Sequence, residues 1–319
     1  MRHVKDFATH GEQLKILEER GLDVSDQAAA KRILSRENYY ALVDGYKEPF
    51  LEHDERLNPY GLERYKEGTK FSHLQALHSF DRNLRLLLLN ELLKFEKNIK
   101  SKVAYRFSEK FREKESFLNP VNYSHDSQHH HERDRIISTL ANLIKSHKKR
   151  DKVRYPAIRE FYDKHKNVPL WVLVNFLSLG QTTHFYTVID EKLRDQIAAD
   201  FANEYSEEYR AIHLEANELD AILRIVFPYR NKSAHEEVLY RFRLPHPVEL
   251  GALEERLAMS KGSLSGATVF SVSRLLKLVL SQADYGQFST ELNRLIETLE
   301  KSIQEHAFIK IMKDTGFHE

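Results

Sequence analysis

Apolar side chains recur every three or four residues along most of this chain, a spacing that places them on one face of an α-helix. The longest such run predicts a helix over residues 72–111, and shorter runs predict helices near 10–20, 25–34, 133–149 and 156–165. Gly and Pro are scarce, at 11 and 8 residues, which favours long helices over many tight turns. No segment shows a convincing strand pattern, so the sequence predicts an all-α fold.

The second half of the chain continues the helical pattern. An apolar helix is predicted to open at Pro169 and to end at Gly180, and its tryptophan, Trp171, is expected to anchor the core. Further helices are predicted over residues 193–201, 209–227, 229–240, 248–259, 269–283 and 290–309.

The predicted helices group into three regions. We expect an N-terminal helical extension over residues 1–70, a helical core over 71–240 and a C-terminal helical region over 241–319. Residues 115–132 are the least periodic part of the core and are expected to form a flexible insertion. Three contiguous histidines at 129–131 lie in it, but no carboxylate pair completes a recognisable metal site, so no metal or other cofactor is expected.

Composition narrows the classes of protein to which the chain can belong. A hydrophobic content of 41% and a charged content of 30% are ordinary for a soluble globular protein of 319 residues. The absence of cysteine excludes disulfides, thiolate zinc sites and cysteine nucleophiles. No apolar run is long enough to span a bilayer and no apolar leader segment is recognisable, so we expect a cytoplasmic protein with no membrane partner.

The formal net charge of +1 gives no overall attraction to nucleic acid, so any RNA binding must come from local basic patches. Two such patches are present, and each is as compatible with a solvated surface as with RNA contact. The second is a basic run over residues 145–154. The first is a stripe on the polar face of the longest helix, formed by Arg82, Arg85, Lys94, Lys97, Lys100, Lys102 and Arg106.

A candidate reaction centre lies in the run Arg230-Asn231-Lys232-Ser233-Ala234-His235. An imidazole can move protons near neutral pH, and a guanidinium can hold a phosphate in a fork-like geometry, so the pair suits RNA cleavage without a metal. The spacing alone is weak. An Arg four to six residues before a His is expected roughly four times by chance in a chain with this many of each. It occurs three times, as Arg159…His165, Arg230…His235 and Arg241…His246.

Context favours the second of these pairs, because Asn231 lies four residues before His235 and the two share a helical face. Arg230 would lie about 140° away around one regular helix. Pro228 could resolve this by starting a helix, which would place Arg230 in a first turn that favours phosphate. A second copy of the chain could also complete the site. The structural alternative is that Arg230 pairs with Glu236 or Glu237 and that His235 is an interfacial histidine.

Several blocks of residues between about positions 12 and 240 resemble a known family. The blocks are Asn38-Tyr39-Tyr40, Gly45-Tyr46-Lys47, Pro49-Phe50, Phe80-Asp81-Arg82-Asn83-Leu84-Arg85, Glu96-Lys97, Lys100-Ser101, Ala104-Tyr105, Val168-Pro169-Leu170-Trp171-Val172, Leu179-Gly180 and Arg230-Asn231-Lys232-Ser233-Ala234-His235. In this order they resemble the Abi-type abortive-infection proteins of the AbiD/AbiF group, whose core is a HEPN-type helical bundle.

The resemblance implies a metal-independent endoribonuclease in antiphage defence or a toxin, acting as a homodimer with two motifs facing one cleft. In such an enzyme the RNA 2′-OH attacks the adjacent phosphorus and leaves a 2′,3′-cyclic phosphate and a 5′-OH. His235 would transfer protons, Arg230 would stabilise charge on the phosphoryl oxygens and Asn231 would orient the phosphate or the imidazole.

The resemblance also implies supporting residues and partners. Asp81, Arg82 and Arg85 are expected first as buried pairs that position the motif helix and second as RNA contacts, and Lys97 and Lys100 as RNA-binding or supporting residues. RNA is the expected substrate, and a regulatory non-coding RNA is a further expected partner. The alternative is a non-catalytic RNA-binding protein that uses the two basic patches on the same scaffold.

Overall fold

The structure, a computed structural model, describes residues 7–54, 58, 62–146, 155–245, 251–264 and 266–317. The prediction of an all-α fold is confirmed, because the described residues form helices and no β-strand. Extended pairing among them is limited to two isolated bridges, Asp23 with Lys70 and Leu51 with Tyr65. No described helix combines the length and the apolar composition that crossing a membrane would require.

The α-helices are α1 (His10–Glu19), α2 (Gln27–Leu34), α3 (Phe71–Lys110), α4 (His130–Lys145), α5 (Pro156–His165), α6 (Leu170–Leu173), α7 (Leu179–Val188), α8 (Glu191–Glu208), α9 (Ala216–Ala234), α10 (Gly251–Arg256), α11 (Val269–Leu275), α12 (Gln282–Glu300) and α13 (Glu305–Thr315). Short 3-10 or π turns occur between several of them. One of these turns, Tyr40–Asp44, follows α2 and leads into the aromatic block at Tyr46.

Helix α3 is the central element of the fold. Its 40 residues correspond to a length of about 60 Å, and α6, α7, α8, α9 and α12 all pack against it. The bounds of α3 confirm the predicted helix over 72–111 to within one residue at each end. The fully buried apolar side chains of α3 repeat at helical spacing and are Leu74, Leu77, Leu84, Leu88, Leu92, Phe95, Ile99, Val103 and Phe107.

One continuous cluster of buried residues extends from Leu14 to Met312, so the three predicted regions share a core. Residues 115–132 also contribute to it: Phe117 and Tyr123 are buried, and the Tyr123 hydroxyl donates a hydrogen bond to the Phe117 carbonyl at 2.6 Å. Of residues 115–132, expected to be a flexible insertion, the part from 116 to 123 therefore packs onto the helices, whereas most residues from 125 to 131 are exposed.

Trp171 does not anchor the core, and that expectation is wrong. The side chains of Leu170 and Leu173 in the short helix α6 are buried, whereas 59% of Trp171 is exposed. Each helical residue is rotated about 100° from the one before it, so Leu170 and Trp171 cannot both face inward on one narrow apolar stripe.

The predicted helix boundary at Pro228 is also wrong, because α9 runs through this proline. Pro228 lacks an N–H group and removes one backbone hydrogen bond, but packing on both sides keeps the helix continuous. The helix ends at the cap residue His235, and Glu236 then adopts a left-handed backbone conformation with φ of 56°. Arg230 consequently lies near the end of α9 and not in a first turn.

The C-terminal region is more broken than its periodicity suggested. The predicted helix over 269–283 ends at Leu275 as an α-helix and continues as a 3-10 turn, and the predicted helix over 290–309 is divided into α12 and α13. The start of the predicted helix over 248–259 lies outside the described residues.

Candidate functional site

The end of α9 is held in place by its inward face. Val226, Tyr229 and Ser233 follow one another at helical spacing and are buried. The single hydrogen of the Tyr229 hydroxyl is shared between the carbonyl oxygens of Phe242 at 2.9 Å and Ala267 at 2.7 Å. These contacts fix the part of the helix from which the candidate residues project.

Arg230 is bound by a carboxylate on α3. Its Nε donates to Glu96 Oε2 at 3.0 Å, and the other oxygen of Glu96 accepts from Lys100 Nζ at 2.6 Å. The Glu96 side chain is only 8% exposed, whereas that of Arg230 is 26% exposed. Within the described part of the chain, the two terminal amino groups of Arg230 make no hydrogen bond. The bidentate edge of the guanidinium is therefore open to an oxyanion.

Asn231 and His235 share one face of α9, as their four-residue spacing predicts. The backbone N–H of His235 donates to the backbone carbonyl of Asn231 at 3.0 Å, so the helical repeat continues to the end of the motif. His235 is exposed, and neither its ring nor the Asn231 amide group forms a hydrogen bond with a described residue. Among the residues that the structure describes, the His235 side chain therefore interacts only through its charge, which acts on Glu237.

The structural alternative, in which Arg230 pairs with Glu236 or Glu237, is wrong, because Arg230 binds Glu96. Glu237 instead forms an ion pair with Lys232. The Lys232 ammonium lowers the pKa of the Glu237 carboxyl, mainly through their hydrogen bond and secondarily through its charge. Both basic side chains of the motif are therefore paired with a carboxylate. Lys232 pairs with Glu237, and Arg230 pairs with Glu96 of α3.

The placement of Arg230 in a phosphate-binding first turn is also wrong. The C-terminal end of a helix carries the negative end of its dipole and presents carbonyl groups, which repel anions. An anion at this end of α9 must therefore be held by side-chain cations, and Arg230 is the cation with an unoccupied edge.

The segment that follows the motif is fixed by the buried carboxylate of Asp81 on α3. Asp81 is fully buried and accepts hydrogen bonds from the backbone N–H groups of Leu239 at 3.0 Å and Tyr240 at 2.7 Å. It also accepts from the Tyr46 hydroxyl and from the Arg85 guanidinium, each at 2.7 Å. Both oxygens of the carboxylate are thus used, one of them three times.

Arg85 extends this network, which we call the Asp81 anchor, towards the motif. Its guanidinium donates to the Glu237 carbonyl oxygen at 3.3 Å and to the Tyr46 hydroxyl at 3.0 Å. Helix α3 therefore holds the backbone two, four and five residues after His235. Asp81 and Arg85 are too buried to contact RNA, whereas the Arg82 side chain is 57% exposed and lies 3.9 Å from Glu37.

Burial raises the pKa of both acidic groups of the anchor, Asp81 and Tyr46. It raises the pKa of the Asp81 carboxyl, and the hydrogen bonds from Leu239, Tyr46 and Arg85 act against this shift. Burial, reinforced by the Asp81 charge, raises the pKa of Tyr46, so its hydroxyl stays protonated and can donate. The charge on Asp81 consequently depends on the donors around it.

The basic stripe on α3 is largely neutralised by carboxylates, some on other helices and some on α3 itself. Lys94 pairs with Asp284 at 2.7 Å, and Lys102 pairs with Glu204. Arg106 binds Asp200 and Glu109. Of the stripe residues from 94 to 106, Lys97 alone makes no ion pair with a described residue. The second basic run lies outside the described residues from position 147 to 154.

The other two Arg…His pairs give no comparable arrangement. Arg159 faces Asp163 at 3.7 Å, and His165 is exposed at the end of α5. The partner histidine of Arg241, at position 246, lies outside the described residues. No three His, Asp or Glu side chains are grouped to hold a metal ion in the ranges that the structure describes.

Glu96 belongs to one of the family-like blocks of the sequence, but the sequence analysis predicted no role for it. A signal was present, because Glu96 falls on the mostly apolar buried face of α3 and lies four residues before Lys100, the spacing of a helical ion pair. Its second partner, Arg230, is 134 residues away, and no local pattern could have indicated that contact.

The Asp81 anchor predicts a large effect of a small substitution. Asp81→Asn keeps the shape of the side chain but leaves the buried Arg85 without its counter-charge, which should lower the free energy of unfolding by about 3–5 kcal/mol. Urea denaturation measures this. Arg82→Ala, on the exposed neighbour, should change it by less than about 0.5 kcal/mol. Equal effects of the two substitutions would contradict the assignment.

Comparison with known proteins identifies the family. The profile of the family described as Abi-like protein matches residues 32–241. That match begins in α2 and contains the Asp81 anchor, Glu96 and the whole of α9, and it ends before α10. No curated protein and no solved structure matches the chain. Because the match covers about two thirds of its length, the chain belongs to the family of Abi-like proteins.

Proposed function

We propose that the chain is a metal-independent endoribonuclease of the HEPN type that acts in abortive infection. The observation that carries the proposal is the open edge of Arg230 on the same helix end as the exposed His235. Membership of the Abi-like family supports the role in defence. The Asp81 anchor supports a site of fixed geometry, because catalysis by proton transfer requires groups that do not drift.

The chemistry follows from what these side chains can do. The RNA 2′-OH attacks the adjacent phosphorus and the bond to the 5′-oxygen breaks, leaving a 2′,3′-cyclic phosphate and a 5′-OH. His235 transfers the protons, Arg230 stabilises the negative charge that builds on the phosphoryl oxygens and Asn231 orients the phosphate or the imidazole. DNA lacks the attacking hydroxyl and should not be cut.

The proposed enzyme uses two copies of the chain. Arg230 and His235 lie about 140° apart around α9, and Arg230 turns towards Glu96 on α3 while His235 is exposed. A two-fold axis near the end of α9 would bring the histidine of each copy towards the arginine of the other, since such interfaces bring the same surface of both copies together. This arrangement removes the angular conflict within one helix.

A non-catalytic RNA-binding protein that relies on the α3 stripe is less well supported. Lys94, Lys100, Lys102 and Arg106 are already paired with carboxylates, so few cations remain for a phosphate backbone. The proposal therefore rests on the motif and not on the stripe.

Substitution of His235 tests the proposal. Purified wild-type protein should cleave total RNA in the presence of EDTA. His235→Ala should lower the cleavage rate by a factor of about 100 or more, since general acid–base groups contribute at least that much. His165→Ala is the matched control, because His165 is also exposed at a helix end and follows an arginine by six residues. Equal activity of both variants would contradict the assignment.

Substitution of Glu96 tests how Arg230 is positioned. Glu96→Gln removes the charge that orients Arg230 and Lys100, and it should lower kcat/KM for RNA by on the order of 10- to 100-fold with little change in fold. Glu204→Gln is the control, because Glu204 also pairs with a lysine of α3 but not with Arg230. If both variants lose activity equally, a general effect of charge and not the position of Arg230 would be responsible.

A further inference from the structure

A groove lies between α3 and α6. It encloses a cavity of about 680 Å³. Lys97, Ser101 and Tyr105 of α3 line one side, and Trp171 of α6 with the nearby Asn175 lines the other. We call this the Tyr105–Trp171 groove.

Two large aromatic rings are exposed in this groove. Trp171 is 59% exposed and Tyr105 is 60% exposed. A single exposed aromatic residue is ordinary, but two that line the same cavity form an exposed apolar surface. The Arg106 guanidinium lies 5.5 Å from the centre of the Tyr105 ring, but its charge is balanced by Asp200 and Glu109.

The charge of the groove is positive. Lys97 and Arg112 both line it, and neither forms an ion pair with any residue that the structure describes. Glu109 is the carboxylate in the lining, and it is already bound by Arg106 at 2.8 Å and by the Tyr105 hydroxyl at 3.2 Å. An anionic ligand would therefore meet two unpaired cations and one neutralised acid.

Asn175 adds an oriented amide to the groove. Its Nδ2 donates to the carbonyl oxygens of Trp171 at 2.8 Å and Val172 at 3.2 Å. These two bonds fix the side chain, and its Oδ1 has no hydrogen-bond donor among the described residues. An accepting group beside a flat ring is suited to the amino edge of a base.

Helix α3 connects the groove to the proposed reaction centre. Lys97 directly follows Glu96, which binds Arg230, and the nine residues from Lys97 to Tyr105 span about 12 Å along α3. We infer that the groove binds single-stranded RNA next to the reacting phosphate, with bases stacked on Trp171 and Tyr105 and the backbone against Lys97 and Arg112. The identity of this ligand rests on the proposed ribonuclease function.

Trp171 is the only tryptophan in the chain, so its fluorescence reports directly on the groove. A short single-stranded 2′-O-methyl oligoribonucleotide serves as the probe, because it has no free 2′-OH and cannot be cleaved by the proposed chemistry. Its addition should quench the fluorescence. Tyr105→Ala should weaken binding roughly 5- to 150-fold, the loss expected for one stacked base.

Matched variants separate stacking from general damage. Trp171→Phe keeps an aromatic ring and should bind the probe, by fluorescence anisotropy, much more tightly than Trp171→Ala. Tyr40→Ala removes an aromatic residue that is 76% exposed but outside the groove, and it should leave binding unchanged. Because Trp171 is mostly exposed, these changes should leave the melting temperature nearly unaffected.

Three results would overturn the inference. The first is no quenching by the single-stranded probe, and the second is equal quenching by a duplex of the same sequence, whose paired bases cannot stack on the rings. The third is a fluorescence change that follows protein concentration without RNA, which would assign the groove to a contact between copies of the chain. If the probe binds as expected but wild-type protein cuts no RNA, the proposed function fails and the groove stands.

Discussion

The buried carboxylate of Asp81 is the interaction on which the rest of the site depends. A charge with no exposure to water is tolerated only when its oxygens are fully hydrogen-bonded, and here two of the donors are backbone N–H groups just beyond the motif. A shift of that segment by one residue would leave the charge unpaired. The carboxylate therefore fixes both the end of α9 and the path of the chain after His235.

Helix α3 connects this anchor to the other candidate functional groups. Asp81 and Arg85 lie in its first half, Glu96 lies near its middle, and the groove between Lys97 and Tyr105 occupies the following turns. A single rigid helix thus sets the relative positions of the motif segment, of Arg230 and of the exposed rings. Precision of this kind is typical of sites that are built on helices and not on loops.

The sequence predicted those features that depend on local spacing. It predicted the all-α fold, the bounds of α3 and the shared face of Asn231 and His235. It failed where distant partners decide: Pro228 is accommodated within α9, and Trp171 faces outward. The apparently basic stripe is neutralised by Glu204, Asp200 and Asp284 from helices far along the chain. Ion pairs between distant segments leave no periodic signal in a sequence.

In the proposed reaction, His235 transfers protons and Arg230 stabilises charge during attack by the 2′-OH of RNA. The chemistry of the product ends tests it most directly, because the route of attack determines which ends remain. RNA cut by the wild-type protein in EDTA should carry 5′-OH and 2′,3′-cyclic phosphate ends. The 5′-OH ends should accept a labelled phosphate from polynucleotide kinase without prior phosphatase treatment. Products with 5′-phosphate and 3′-OH ends would contradict the account, since those ends require attack by water.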